Sequence, residues 1–196
     1  STLDRSSAAS DVYKRQRLAE AAAAIRADVC ANGMDPSGRH FVRSYGAPEA
    51  DASLLLLPIH GFLEDEDPRL HETVRYIQRE LCSGPYVYRY KTDDGVGGHE
   101  GAFTLCGFWL SEALALQGHV DEALHVFSAH AEASNHLGLL AEEIDPTNRS
   151  QLGNFPQAFS HLGLVNAAWR IDLALRLRDE GASFGPRLVG PMLRRG

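Results

Sequence analysis

The sequence has few cysteines and no grouping of residues that would bind a metal. Its 196 residues include three cysteines, Cys30, Cys82 and Cys106, and the absence of a C-x-x-C pair argues against a disulfide framework. Isolated cysteines suit a reducing compartment, so we predict a cytoplasmic protein in which they are small buried side chains. The nine histidines form no H-E-x-x-H or H-x-H motif, so the sequence predicts neither a metal site nor a cofactor.

Long apolar runs and an excess of positive charge are also missing. The four consecutive leucines at 54–57 fall far short of the about 18 apolar residues that a membrane-spanning helix needs. The 26 acidic residues outnumber the 19 basic ones, which gives a net charge of −7. An acidic surface repels a phosphate backbone. We therefore expect neither a membrane nor a nucleic acid as partner, and the oligomeric state is left open.

The first sixteen residues differ from the rest of the chain. They have no helical or strand period, and the run SSAASDVYKRQ at 6–16 resembles the in-frame translation of a transposase-type sequencing adapter. We therefore assign residues 1–16 to an adapter-derived tail and residues 17–196 to the domain. A natural polar tail is the alternative. The adapter interpretation predicts that Val12 and Tyr13 make no packed contacts.

From residue 17 onward the pattern predicts helices joined by long loops. Spacing, breakers and capping residues such as Asp51 predict helices over 17–29 and 52–57, from 68 to a stop at the GP pair at 84–85, over 101–116, from 120 onward, and over 156–178. The helix at 101–116 is apolar almost all round, whereas those that begin at 68 and 120 are amphipathic. This alternation predicts an all-α fold with an inner and an outer layer. The loops at 36–50, 84–100 and 135–154 are long enough to indicate function.

A helical-repeat protein is the competing interpretation. The segments FWLSEAL at 108–114 and GHVDEAL at 118–124 resemble one tetratricopeptide repeat. No second copy follows 34 residues away, and repeat folds need at least three. The corresponding function would be a non-catalytic scaffold that binds a protein partner.

Three carboxylates lie within four positions of the loop at 135–154. Glu142, Glu143 and Asp145 repel one another and raise each other's pKa unless they are exposed or paired. The residues alone fit either a solvated acidic turn or a catalytic site.

Several short motifs occur together in the order and spacing of a known family. They are DASLLL at 51–56, DEDPR at 65–69, YRY at 88–90, DG at 94–95, EGAF at 100–103 and LGNFPQAFSHL at 152–162. Over residues 17–174 the chain resembles glycoside hydrolase family 15, which contains glucoamylases and trehalases. The resemblance implies an (α/α)6 barrel of twelve inner and outer helices, of which this chain would form about half, at the C-terminal end.

The resemblance implies an inverting, exo-acting hydrolase that releases glucose from an α-glucan, an oligosaccharide or trehalose. In such enzymes an acid protonates the glycosidic oxygen, and a carboxylate about 6.5–9.5 Å away activates a water. By the family pattern Glu142 is the general base, with Glu143 as the fallback. The family's acid lies in an upstream Trp-Glu motif. Neither Trp109 nor Trp169 is followed by Glu, so this chain lacks that motif.

The family motifs also suggest carbohydrate-binding residues. Arg89 matches an Arg-Tyr motif, and its guanidinium offers five donors for sugar hydroxyls. Asp94 and Glu100 are further candidates for substrate binding. Alternatively, Arg89 forms a surface ion pair with Asp93 or Asp94.

Half a barrel would lack partners for its inner helices. We therefore expect large apolar side chains of residues 103–116 to be exposed, which would promote association. We also expect the chain by itself to be a poor catalyst, because a general acid contributes about 10²–10⁴-fold to the rate.

Overall fold

The computed structural model describes residues 2–91 and 100–182, with residues 2–11 as backbone alone, and this part is mostly helical. Its elements in chain order are α1 (Thr2–Asn32), a 3-10 helix (Ala52–Leu55), α2 (Leu56–Ile59), α3 (Pro68–Leu81), β1 (Cys82–Ser83), β2 (Tyr86–Val87), β3 (Ala102–Phe103), α4 (Thr104–Leu116), α5 (Val120–Ala131), β4 (Glu143–Ile144), β5 (Gln151–Leu152) and α6 (Ala158–Asp179). The predicted helical class is confirmed. The short strands were not predicted from the sequence.

Helix α1 begins at Thr2 instead of near residue 17. Helix α1 therefore includes residues 2–16, in which the sequence shows no helical period. No Pro or Gly interrupts the chain between Thr2 and Asn32, so nothing breaks the backbone hydrogen bonds. An apolar period is expected only where one side of a helix is buried. The side chains at 12–28 are all exposed, so this part of α1 needs no such period. Val12 and Tyr13 are 64% and 62% exposed.

Side-chain caps fix where the next helices begin. The Asp51 carboxylate accepts a hydrogen bond from the Ser53 N–H and caps the 3-10 helix, as predicted. Asp67 caps α3, and Pro68 occupies its first position, which needs no N–H donor. The predicted start of α3 is therefore confirmed, and the helix ends at Leu81, shortly before the GP pair that was expected to close it. Pro58 lies within α2 instead of ending it, because a proline is tolerated in the first turn of a helix.

The core is centred on α4. This helix packs against α5 and α6, and against α2 and the 3-10 helix. Eleven of its residues are buried: Thr104, Cys106, Gly107, Phe108, Leu110, Ser111, Glu112, Ala113, Leu114, Ala115 and Leu116. The expectation that residues 103–116 would be exposed is therefore wrong, because the neighbouring helices of this chain already cover α4.

Exposed apolar surface lies instead on α6. Phe159, Leu162, Val165 and Trp169 are between 48% and 64% exposed. Their spacing of three and four residues places them along one side of the helix. We refer to these four residues as the α6 stripe.

Helices α4 and α5 approach each other closely at Gly107. A Cβ atom at this position would lie 2.0 Å from Nε2 of His130 on α5. His130 is buried, and its Nδ1 lies 2.9 Å from the Val126 carbonyl oxygen. The contact between the two helices therefore requires glycine at position 107.

Two small antiparallel sheets occur that the sequence did not predict: β2, β4 and β5 lie in predicted loops, whereas β3 replaces the start of the helix predicted over 101–116. Strands β1 and β2 form a hairpin, and the second sheet has the order β3-β4-β5. Glu143 in the central strand β4 is paired with Phe103 on one side and with Leu152 on the other. The sheet thus brings the acidic loop against the start of α4.

Within residues 2–91 and 100–182, no helix is long and apolar enough to cross a membrane. Nor do three His, Cys, Asp or Glu residues gather there as a possible metal site.

Candidate active site

Backbone hydrogen bonds fix the position of Glu142 between the start of α4 and the loop that precedes α6. The Thr104 N–H donates to the Glu142 carbonyl oxygen at 2.9 Å. The Glu142 N–H donates in turn to the Asn154 carbonyl oxygen at 2.9 Å. The residue is therefore held on both sides by the main chain.

Two amide side chains bind the Glu142 carboxylate. Its Oε2 accepts from the Asn154 backbone N–H at 3.1 Å and from Asn154 Nδ2 at 2.9 Å. Its Oε1 lies 3.4 Å from Gln157 Nε2, which donates to it. Glu142 remains half-buried, so the carboxylate is oriented without being enclosed.

Gly153 allows this loop to lie directly against Glu142. Its φ of +72° is a conformation that other residues rarely adopt. A Cβ at this position would also lie 2.9 Å from Glu142 Oε2. The positive φ and the close contact with the Glu142 carboxylate therefore explain why the GNFPQ run begins with glycine.

The first turn of α6 holds the residues just before Glu142. Ser160 Oγ donates to the Ala141 carbonyl oxygen at 2.8 Å. The Leu140 N–H donates to His161 Nε2 at 3.3 Å, which leaves the ring proton on Nδ1 for the Gln157 carbonyl oxygen at 2.7 Å. His161 therefore supports the loop, and both of its ring nitrogens are used for that.

The other carboxylates of the loop lie in different surroundings. Glu143 Oε2 accepts from the Gly101 N–H at 2.9 Å. Burial raises the pKa of Glu143, this hydrogen bond opposes the shift, and the nearby charges of Glu100 and Glu142 add to it. Glu100 itself is exposed.

Asp145, the third carboxylate of the loop, is half-buried and accepts hydrogen bonds within its own turn. The pKa of Asp145 is lowered because the Thr147 hydroxyl and N–H donate to it. The mutual repulsion expected from the sequence is therefore offset at this position by hydrogen bonds within the turn.

Arg89 is paired with Asp51. Arg89 Nε donates to Asp51 Oδ1 at 2.9 Å, and the guanidinium carbon lies 5.9 Å from the centre of the Trp109 ring. The Arg89 side chain is 38% exposed, so its remaining donors can reach a ligand. The alternative partners, Asp93 and Asp94, lie outside the described residues, as does the predicted binding role of Asp94.

Glu142 and Arg89 both lie beside the N-terminal half of α4. Glu142 contacts Thr104, the first residue of α4, and Arg89 lies over Trp109, five residues further on. Five residues advance about 7.5 Å along a helix. The structure thus places Glu142, Glu143 and Glu100 in one cluster and Arg89 beside the same helix.

Three contributions were not predicted from the sequence. Asn154 and Gln157 were recognised as parts of a motif, but without a role toward Glu142. Asp51 was predicted as a cap but not as the partner of Arg89. The sequence did contain a signal for the contacts with Glu142. Two amide residues, Asn154 and Gln157, follow the acidic turn, and amide N–H groups are natural donors to a carboxylate.

Comparison with known proteins identifies several similar trehalases. The trehalase of Mycolicibacterium smegmatis is 40% identical over 191 residues, which cover 94% of this chain and 28% of that protein. The trehalase of Thermoplasma acidophilum is 43% identical over 152 residues, covering 77% of this chain and 26% of that protein. The chain therefore spans about a quarter of the length of these relatives.

Solved structures and a family model also match this chain. The structure of a wild-type glycosidase matches with a TM-score of 0.67 and 26% identity, covering 79% of this chain and 44% of that one. A glycosidase variant in complex with glucose matches with a TM-score of 0.68 at 24% identity, over the same shares of the two chains. The model of glycosyl hydrolases family 15 matches residues 2–169. With most of its length matched by that model, the chain belongs to glycosyl hydrolase family 15.

Proposed function

We propose that the protein containing this chain is an inverting, exo-acting hydrolase of α-glucosidic bonds, with trehalose as its substrate and Glu142 as its general base. The observation that carries this proposal is the Glu142 carboxylate, half-buried and held by the amide groups of Asn154 and Gln157. The names of the similar proteins support trehalose over longer glucans.

In the proposed reaction Glu142 removes a proton from a water molecule as that water attacks the anomeric carbon of one glucose unit. The bond from that carbon to the bridging oxygen breaks, and a general acid protonates the oxygen. Attack opposite the leaving group inverts the configuration. Hydrolysis of trehalose therefore yields one β-glucose and one α-glucose.

The remaining site residues have supporting roles in this proposal. Arg89, oriented by Asp51 and Trp109, binds sugar hydroxyls through its unused donors. Glu100 and Asp94 contribute further polar contacts. Glu143 is the alternative base, and its carboxylate is half-buried and bound to the Gly101 N–H.

We further propose that the chain forms part of an (α/α)6 barrel and that the general acid comes from residues outside it. The exposed α6 stripe and the absence of a Trp-Glu pair support this arrangement. Membership of the hydrolase family also favours catalysis over the scaffold suggested by the single tetratricopeptide-like segment. The unpaired Cys30, Cys82 and Cys106 are consistent with a cytoplasmic location, which cell fractionation tests.

The proposal is tested by substitution in the full-length protein. We expect Glu142→Gln to lower kcat on trehalose by about 10²–10⁴-fold, the usual contribution of a general base, while Glu143→Gln retains more activity. Proton NMR of the first products distinguishes β-glucose from α-glucose, and maltose and isomaltose serve as competing substrates. Glu180→Gln, at an exposed position after α6, is the matched control.

Three outcomes would contradict parts of the proposal. Loss of activity in Glu143→Gln but not in Glu142→Gln would transfer the role of base to Glu143. Release of α-glucose alone would exclude inversion. Full activity in both variants would remove this loop from the catalytic site.

A further inference from the structure

The loop at 153–157 makes specific contacts with both oxygens of one carboxylate. Asn154 contributes a backbone and a side-chain donor to Oε2 of Glu142, and Gln157 contributes a side-chain donor to Oε1. Because each carboxylate oxygen has its own donor, the plane of the carboxylate is set as well as its position.

We propose that Asn154 and Gln157 are positioning residues, whose side-chain amides orient the Glu142 carboxylate toward the attacking water. This inference rests on the proposed role of Glu142 as general base. Neither residue needs to touch the substrate in order to act in this way.

The physical reason lies in the geometry of proton abstraction. A general base must reach its water at hydrogen-bond distance while the water lies in line with the bond that breaks. A displacement of about 1 Å can cost about 10²-fold in rate. Glu142 has a flexible side chain and is half-buried, so packing alone leaves its carboxylate free to rotate.

Gln157 has a second role that allows orientation and folding to be separated. Its Oε1 accepts from the Phe159 N–H at 3.5 Å and caps α6, while its Nε2 donates to Glu142. A glutamate at this position keeps the capping oxygen and loses the donor. Gln157→Glu therefore tests the contact with Glu142 while the helix cap is maintained.

The experiment measures kcat, KM and the pH dependence of kcat on trehalose in the full-length protein. We expect Asn154→Ala to lower kcat by about 10–10²-fold with less than about a twofold change in KM, because the residue acts on the base and not on substrate binding. Asn154→Asp and Gln157→Glu place a second carboxylate beside Glu142, which disfavours its ionised form. In both variants the acid limb of the pH profile should move to higher pH.

A matched control separates a local contact from a general effect of added charge. Asn148 lies at an exposed position in the turn between β4 and β5, where its side chain accepts from the Ser150 N–H. Asn148→Asp adds the same charge to the same loop and should leave kcat and the acid limb unchanged. Thermal unfolding of every variant reports whether the fold is retained, and Gln157→Glu decides the question if Asn154→Ala does not fold.

The results for Glu142 and for its neighbours remain distinguishable. If Glu142→Gln is inactive while Asn154→Asp and Gln157→Glu keep the wild-type kcat and acid limb, the positioning role is refuted and the base is retained. If Glu142→Gln is fully active, the proposed base is refuted, and the positioning role with it. Equal loss of kcat in Asn148→Asp would also overturn the inference.

Discussion

At the scale of single residues, Glu112 and Arg170 form a buried ion pair between α4 and α6. Arg170 Nε lies 3.7 Å from Glu112 Oε2, and both side chains are less than a tenth exposed. Burial raises the pKa of Glu112 to about 7, and Arg170 opposes the shift. The folded protein therefore favours the protonated form of Glu112 more than the unfolded chain does.

This shift predicts a pH dependence of stability. Between the ordinary pKa of 4.5 and about 7, the folded state binds more protons than the unfolded state, so the contribution of Glu112 to the free energy of unfolding falls as the pH rises. We expect the unfolding free energy of the wild type minus that of Glu112→Gln to decrease as the pH rises from 4.5 to about 7. Denaturant titrations at several pH values measure it.

His130 makes the comparison with the variant necessary. Burial lowers the pKa of His130 to about 4, so its own contribution rises as the pH increases from about 4 to 6.5. The two effects oppose each other in the wild type, and only the difference isolates Glu112. Glu132→Gln, at an exposed position, is the control, and a difference for Glu112→Gln that stays constant with pH would contradict the prediction.

The sequence suggested a role for a residue where a motif carried it, but gave no indication of contacts with a partner from a distant element. Glu142 was assigned from the family pattern around one loop. Glu112 lies in a helix predicted to be apolar almost all round, and nothing in the sequence indicated that Arg170, 58 positions later, would face it. Asn154 was missed for a related reason, because twelve residues separate it from the carboxylate that it binds.

At the scale of elements, the start and the approximate end of α3 could be predicted because both have local chemical signals. Asp67 and Pro68 define the first turn, and the GP pair at 84–85 follows the last one. The strands could not be predicted, because two residues are too few to show an alternating period. The sheet formed by β3, β4 and β5 depends on pairing across about forty residues.

The first half of α1 provides a second prediction at this scale. Its described side chains are exposed, and substitutions at such positions usually change stability by less than about 0.5 kcal/mol. Deletion of residues 1–16 should therefore leave the melting temperature within about 2 °C of the full chain. Deletion of residues 1–30, which also removes the half-buried Val29 and Cys30, is the comparison. A large loss from the shorter deletion would contradict an adapter-derived tail.

At the scale of the whole molecule, we expect the α6 stripe to govern association. Burial of a large apolar side chain contributes about 1.5–3 kcal/mol, and four such side chains lie along one helix. We expect the 196-residue chain to form concentration-dependent oligomers in sedimentation velocity. The double variant Leu162→Gln with Val165→Gln should reduce them.

A matched control distinguishes the stripe from exposed apolar residues in general. Leu137 is 69% exposed but lies in the loop before β4 and not on α6. Leu137→Gln should leave association unchanged. A wild-type chain that remains monomeric at high concentration would refute the prediction.

The hydrogen bonds around Glu142 also determine how this protein can be recombined with its relatives. The main-chain groups of residues 140–142 form hydrogen bonds with the main chain of Asn154 and Gln157 and with the side chains of Ser160 and His161. A chimera joined between β4 and β5 would take the carboxylate from one parent and its donors from the other. Exchange of residues 140–161 as one block keeps both sets together, so crossover points outside this block should give the active chimeras.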